Sequence, residues 1–187
     1  MRVEASMLWR RLDVPGHDAC RLEPADDGWR LEGAAVFRGK EGPTALDYSV
    51  QCDAQWRTVS GHVRGFIGER AVEAVIVRQS LAWTLDGVLV PGLDHLLDLD
   101  LSFTPATNLL QLRRVPIAPN ESVRLPVVWF DASAGTLTEL PQVYERRAPN
   151  AFWYRAPSVG YEGLLETAPS GFIRDYPSLW IAETANA

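Results

Sequence analysis

Apolar and polar residues alternate with a period of two along most of this chain, and that alternation restricts the fold more than any other feature. Leu46, Tyr48, Val50 and Cys52 share one phase, and Val59, Gly61, Val63, Gly65 and Ile67 share another. Leu81, Trp83 and Leu85 follow, then Val123, Leu125, Val127 and Trp129. A β-strand puts successive side chains on opposite faces, so each run can bury one face and wet the other. Turn-forming clusters cut the runs at short intervals: Asp26-Asp27-Gly28, Gly39-Lys40-Glu41-Gly42-Pro43, Asp86-Gly87, Pro91-Gly92, Ala118-Pro119-Asn120, Ser133-Ala134-Gly135 and Pro169-Ser170-Gly171. Such spacing favours antiparallel hairpins over βαβ units. The expected fold is mainly β, a strongly curved antiparallel sheet, sandwich or half-open barrel with little helix. No window carries a sustained helical stripe; the best candidate is 105–114, with Thr104 as N-cap and Pro105 at the first helical position.

The halves are also faintly similar at an offset of roughly 106 residues, which is how a duplicated unit would show. Val36-Phe37-Arg38 matches Val143-Tyr144-Glu145, and Pro43, Ala45 and Tyr48 match Pro149, Ala151 and Tyr154. Two related halves around one cavity are one reading. The recurrence of aromatic residues and proline in any β-rich chain is the other.

The densest chemistry lies in residues 97–114. Leu97, Leu99, Leu101 and Phe103 take one side of a strand pattern and Asp98, Asp100 and Ser102 the other, until Thr104-Pro105 stops it. The run Asp98-Leu99-Asp100-Leu101-Ser102-Phe103-Thr104-Pro105-Ala106-Thr107-Asn108-Leu109-Leu110-Gln111-Leu112-Arg113-Arg114 resembles the signature of the bacterial Putative glycolipid-binding family, formerly a domain of unknown function. Gln142-Val143-Tyr144 and Gly171-Phe172-Ile173-Arg174-Asp175-Tyr176-Pro177-Ser178-Leu179-Trp180 are similar to later family stretches, and the order fits a single domain over 1–187. The resemblance implies a lipid or glycolipid as ligand and brings no catalytic residues. It also implies a fold similar to the half-open barrels of bacterial lipoprotein carriers. Those carriers work outside the inner membrane, whereas the first eleven residues here lack the apolar stretch of a secretory signal, so the expected compartment is the cytoplasm.

Composition removes several function classes. A formal charge of −6 at pH 7 argues against a nucleic-acid backbone or an anionic membrane surface as partner. No apolar run is long enough to insert stably in a bilayer; Val127-Val128-Trp129-Phe130 is strand-sized. In a chain of 187 residues a core forms without disulfides, and Cys20 and Cys52 are expected as thiols. There is no G-x-S-x-G, no H-E-x-x-H and no glycine-rich phosphate loop, so neither a cofactor nor a metal is expected.

The candidate binding residues are Trp83, Asp98, Asp100, Arg113, Arg114, Trp129, Tyr144 and Tyr154. Seven tryptophans is a large set for this length, and their faces suit sugar rings and acyl chains as well as a protein core. Trp83, Trp129, Tyr144 and Tyr154 stand in strand-like runs beside polar neighbours. Asp98 and Asp100 share a strand face, and Arg113 or Arg114 can hold a polar head group or pair with the aspartates. The leading expectation is a non-catalytic protein that binds a lipid or glycolipid in an aromatic-lined cavity of a curved sheet. The alternative is a small hydrolase or isomerase acting on a sugar or lipid through Asp98 and Asp100, although neighbouring acids of one strand are poorly placed to flank a glycosidic bond. A third is an interaction module using an exposed sheet edge.

Overall fold

The computed structural model describes residues 3–183, and its chain begins as a meander. β1 (Ala5–Arg11), β2 (Gly16–Ala25), β3 (Gly28–Gly39), β4 (Gly42–Asp53), β5 (Thr58–Ile67), β6 (Arg70–Gln79), β7 (Ala82–Leu85) and β8 (Val88–Val90) each pair antiparallel with the next. The chain then leaves that sheet for β9 (Leu99–Leu101) and α1 (Asn108–Arg114), and touches its far edge as β10 (Ser122–Arg124). It leaves again through β11 (Val127–Asp131) and β12 (Thr136–Leu140). A second meander follows: β13 (Val143–Ala148), β14 (Ala151–Ala156), β15 (Tyr161–Thr167), β16 (Ile173–Tyr176) and β17 (Trp180–Ala182).

β17 pairs antiparallel with β1, and the two meanders become one sheet of 14 strands, from β10 at one edge to β8 at the other. The sheet is antiparallel throughout and is not closed into a barrel. Trp9 secures the seam: it is fully buried, donates its indole N–H to the Ile173 carbonyl at 2.6 Å and meets Phe172 edge-on at 5.5 Å. Helix is scarce, as expected, and among the described residues no helix is long and apolar enough to cross a membrane.

Inside the sheet lies a smaller layer made of β9, β11, β12 and α1. β11 runs parallel to β9 and antiparallel to β12. Both of its faces are covered, so its run Val127-Val128-Trp129-Phe130 alternates between two cores. Val128 and Phe130 join the core under the first meander, while Val127 and Trp129 pack on the core under the second. Gly61 on β5 lets this layer approach, because a Cβ there would stand 2.4 Å from Leu99 Cδ2.

Three local expectations are corrected. The strand drawn through 97–103 is reduced to Leu99–Leu101, and on its polar side Asp98 and Asp100 are buried while Ser102 is exposed. The helix starts at Asn108 instead of Pro105: the Thr104 hydroxyl accepts the Ala106 N–H at 3.0 Å, and the turn it closes comes before the helix. Val123 and Trp129 belong to different sheets, since β10 ends at Arg124 and β11 begins at Val127, with Pro126 between.

Candidate functional site

Seven of the eight residues singled out in the sequence fall into two groups, one around Asp98 and one around Asp100, and Arg113 stands apart from both. On one side Asp98 is fully buried and Arg114 grips it, Nε donating to Oδ1 at 2.9 Å and Nη2 to Oδ2 at 2.5 Å. Burial raises the Asp98 carboxyl above its usual range, against the opposing pull of Arg114. Close by, the Leu96 carbonyl accepts the Trp83 indole N–H at 3.2 Å and the Arg78 Nε–H at 3.1 Å. Trp83 is fully buried. Arg113 points elsewhere: its Nη2 donates to the Ser170 carbonyl at 2.6 Å, and its guanidinium stands 5.4 Å from the Trp56 ring.

On the other side Asp100, Trp129, Tyr144 and Tyr154 come together. Trp129 is the register partner of Asp100 and is half-buried. Asp100 accepts from Gln142 Nε2 at 3.0 Å, Gln142 Oε1 accepts from Gln111 Nε2 at 2.9 Å, and the Tyr144 hydroxyl accepts from Asn108 Nδ2 at 2.7 Å. Tyr144 and Tyr154 rings are 4.8 Å apart, and Tyr161 and Tyr176 extend the group. Burial pushes Asp100 up to about 6 despite the bond from Gln142. Gln111 Oε1 is buried without a hydrogen-bond partner.

A third polar group, which sequence reasoning passed over, ties the loop before α1 to the sheet. Asp18 is fully buried and accepts from the Tyr48 hydroxyl at 3.0 Å and from the Thr104 hydroxyl. Cys20 and Cys52 are buried free thiols, and burial pushes the Cys52 thiol up to about 12. Among the described residues no three His, Cys, Asp or Glu side chains gather as a metal site would require.

A large hollow lies on the opposite face of the sheet. An open trough of about 940 Å³ crosses the outward side of β1 to β5, a size that suits a small-molecule ligand. Two cross-strand rows make it. Ser6, Arg21, Glu32, Ser49 and His62 follow one register line, and Leu8, Ala19, Ala34, Asp47 and Arg64 follow the next. The small side chains of Ala19 and Ala34 form the hollow; Val36, Ala45 and Phe66 continue an apolar stripe along the same face. Arg21 Nη2 reaches Glu32 at 2.8 Å and holds its carboxyl below the usual range, Arg64 Nε lies 3.5 Å from Asp47, and His62 Nε2 lies 2.6 Å from Glu73. A face of this kind offers hydrogen-bonding side chains beside an apolar strip. The signal in the sequence was small residues, Ala19 and Ala34, on the outward phase of long strands, visible only once register is known.

Residues 6–182 match the model of the family described as Putative glycolipid-binding. The crystal structure of a DUF1089 family protein from Pseudomonas aeruginosa is similar in fold, with a TM-score of 0.76 and 22% identity, over 88% of this chain and 91% of that one. No curated protein matches the sequence.

Proposed function

Since this chain belongs to the Putative glycolipid-binding family, we propose that it is a non-catalytic binding protein for an amphiphile with a sugar head group, and that the outward trough is its site. One observation carries this reading: the trough sets a polar row, Arg21, Glu32, Ser49 and His62, against the apolar Leu8, Ala19 and Ala34 two residues along the same sheet face. An amphiphile needs both surfaces at that separation. The interior aromatics then act as support: Trp83, Tyr144 and Tyr154 are buried, and the polar atoms of Trp83 and Tyr144 are used to fasten the inner layer. The catalytic alternative has less behind it, because Asp98 is committed to Arg114 and Asp100 to Gln142.

A competing placement of the same ligand, against Trp129 and Asp100, draws on the unpartnered Gln111 Oε1. One binding experiment separates the two. Decyl maltoside is titrated calorimetrically, below its micelle threshold, into the wild type, Ala34→Trp and Trp129→Ala. Ala34→Trp fills the trough from an exposed position and should abolish binding, while Trp129→Ala should leave it within about twofold. Retained binding in Ala34→Trp together with loss in Trp129→Ala transfers the site to the interior; no binding by the wild type removes the proposal.

A further inference from the structure

The trough's ion pairs also bear on what kind of head group it accepts, an inference that rests on the trough being the binding site. We infer that the trough selects an uncharged polyhydroxylated head group and rejects phosphate, sulfate and carboxylate heads. Among the described lining residues, two guanidiniums, Arg21 and Arg64, stand with three carboxylates, Glu32, Asp47 and Glu183. Both guanidiniums are engaged. Arg21 contacts Glu32 at 2.8 Å and Glu23 at 3.2 Å, and Arg64 contacts Asp47 at 3.5 Å. Glu183 is met at the rim by Arg10 at 3.4 Å and His17 at 3.5 Å.

An anionic head entering this lattice must compete with a carboxylate already on each arginine, and it meets a further carboxylate as well. Sites built for phosphate offer the reverse, guanidinium forks with spare donors and no acid beside them. A sugar has neither problem. Its hydroxyls donate to Glu32 and Asp47 and accept from Arg21, Arg64 and Ser49, because a paired carboxylate or guanidinium keeps more hydrogen-bonding positions than one partner uses. Exposed pairs of this type add little to fold stability. Arg21–Glu32 borders the Ala19–Ala34 hollow along β2–β3 and Asp47–Arg64 borders it across β4–β5, and that arrangement makes selectivity their main effect.

The test compares two amphiphiles with the same tail, decyl maltoside and decyl phosphate, on the wild type and on the double variant Glu32→Gln/Asp47→Asn. Titration calorimetry below the micelle thresholds reads affinity, and circular dichroism checks that the variant keeps its fold. The wild type should prefer decyl maltoside by roughly tenfold or more. The variant, with Arg64 freed of its carboxylate and Arg21 left with Glu23 alone, should lose that preference and bind decyl phosphate about tenfold more tightly than the wild type does. Equal or stronger binding of decyl phosphate by the wild type overturns the inference while leaving the trough as the site. An unchanged preference in the double variant also overturns it. If the wild type binds neither amphiphile, the reading beneath it fails and takes the inference with it.

Discussion

Asp18 shows how far a single buried acid can control this protein. Its carboxyl is fully buried, and its bonded partners are the hydroxyls of Tyr48 and Thr104. Burial pushes it from 3.8 up to about 7, against the lowering effect of those hydroxyls. A carboxyl raised in the folded state is held protonated there more tightly than in the unfolded chain. Its contribution is therefore fully present below about pH 4 and is lost as the pH rises through about 7. Asp100, raised to about 6, acts in the same direction over a narrower window. The urea midpoint of the wild type should fall between about pH 5 and about pH 8, and Asp18→Asn, which stays neutral, should flatten much of that slope. An equally steep slope in the variant would show that Asp18 does not titrate in this range. The sequence held a usable sign of this residue, an acid in phase with Cys20 and Leu22 on a buried strand face. The Asp98–Arg114 pair was legible too, as one of two uses for that arginine, because oppositely charged residues bracketing one break commonly meet.

At the scale of elements, the strands of the outer sheet were easier to read than the layer inside it. β2 to β6 each have one wet and one dry face, which is the condition under which alternation is visible. β9 and β11 are covered on both sides, so their outlines differ from the expectation: Asp100 sits on a buried face, and Trp129 looks toward the second core. The trough escaped notice for another reason, since its rows draw on five strands and exist only through register. Gly33 links the two faces. It stands opposite Tyr48, and a Cβ there would lie 2.4 Å from the tyrosine hydroxyl and 2.6 Å from the Ala19 carbonyl. Gly33→Val should therefore displace the Tyr48 ring from Asp18 and cost about 1–3 kcal/mol in urea unfolding, as overpacked positions do. It should also steepen the fall of stability with pH, because Asp18 loses a hydroxyl that was lowering it. A variant as stable as the wild type would mean that the ring finds another place without cost.

The whole molecule has two hydrophobic cores and one inner layer that serves both. Leu99, Leu101, Val128, Phe130, Leu109 and Leu110 enter the first core, while Val127, Leu140, Trp129 and Leu112 enter or border the second. The two meanders otherwise meet mainly at the short β1–β17 pairing, so either one alone would leave an apolar face of β11 or α1 exposed to water. That arrangement predicts one cooperative unit. It can be tested because most of the reporters divide between the cores: Trp9, Trp83 and Trp180 are in the first and Tyr144 and Tyr154 in the second, with Tyr48 and Trp129 the exceptions. Tryptophan fluorescence and the tyrosine near-ultraviolet dichroism should give the same urea midpoint. Leu99→Ala, a truncation in the first core opposite Gly61, should cost about 2–5 kcal/mol and move both signals together. If the tyrosine signal kept its wild-type midpoint while the fluorescence transition fell, the inner layer would not be transmitting stability between the cores, and the two meanders would be separate folding units that share a sheet.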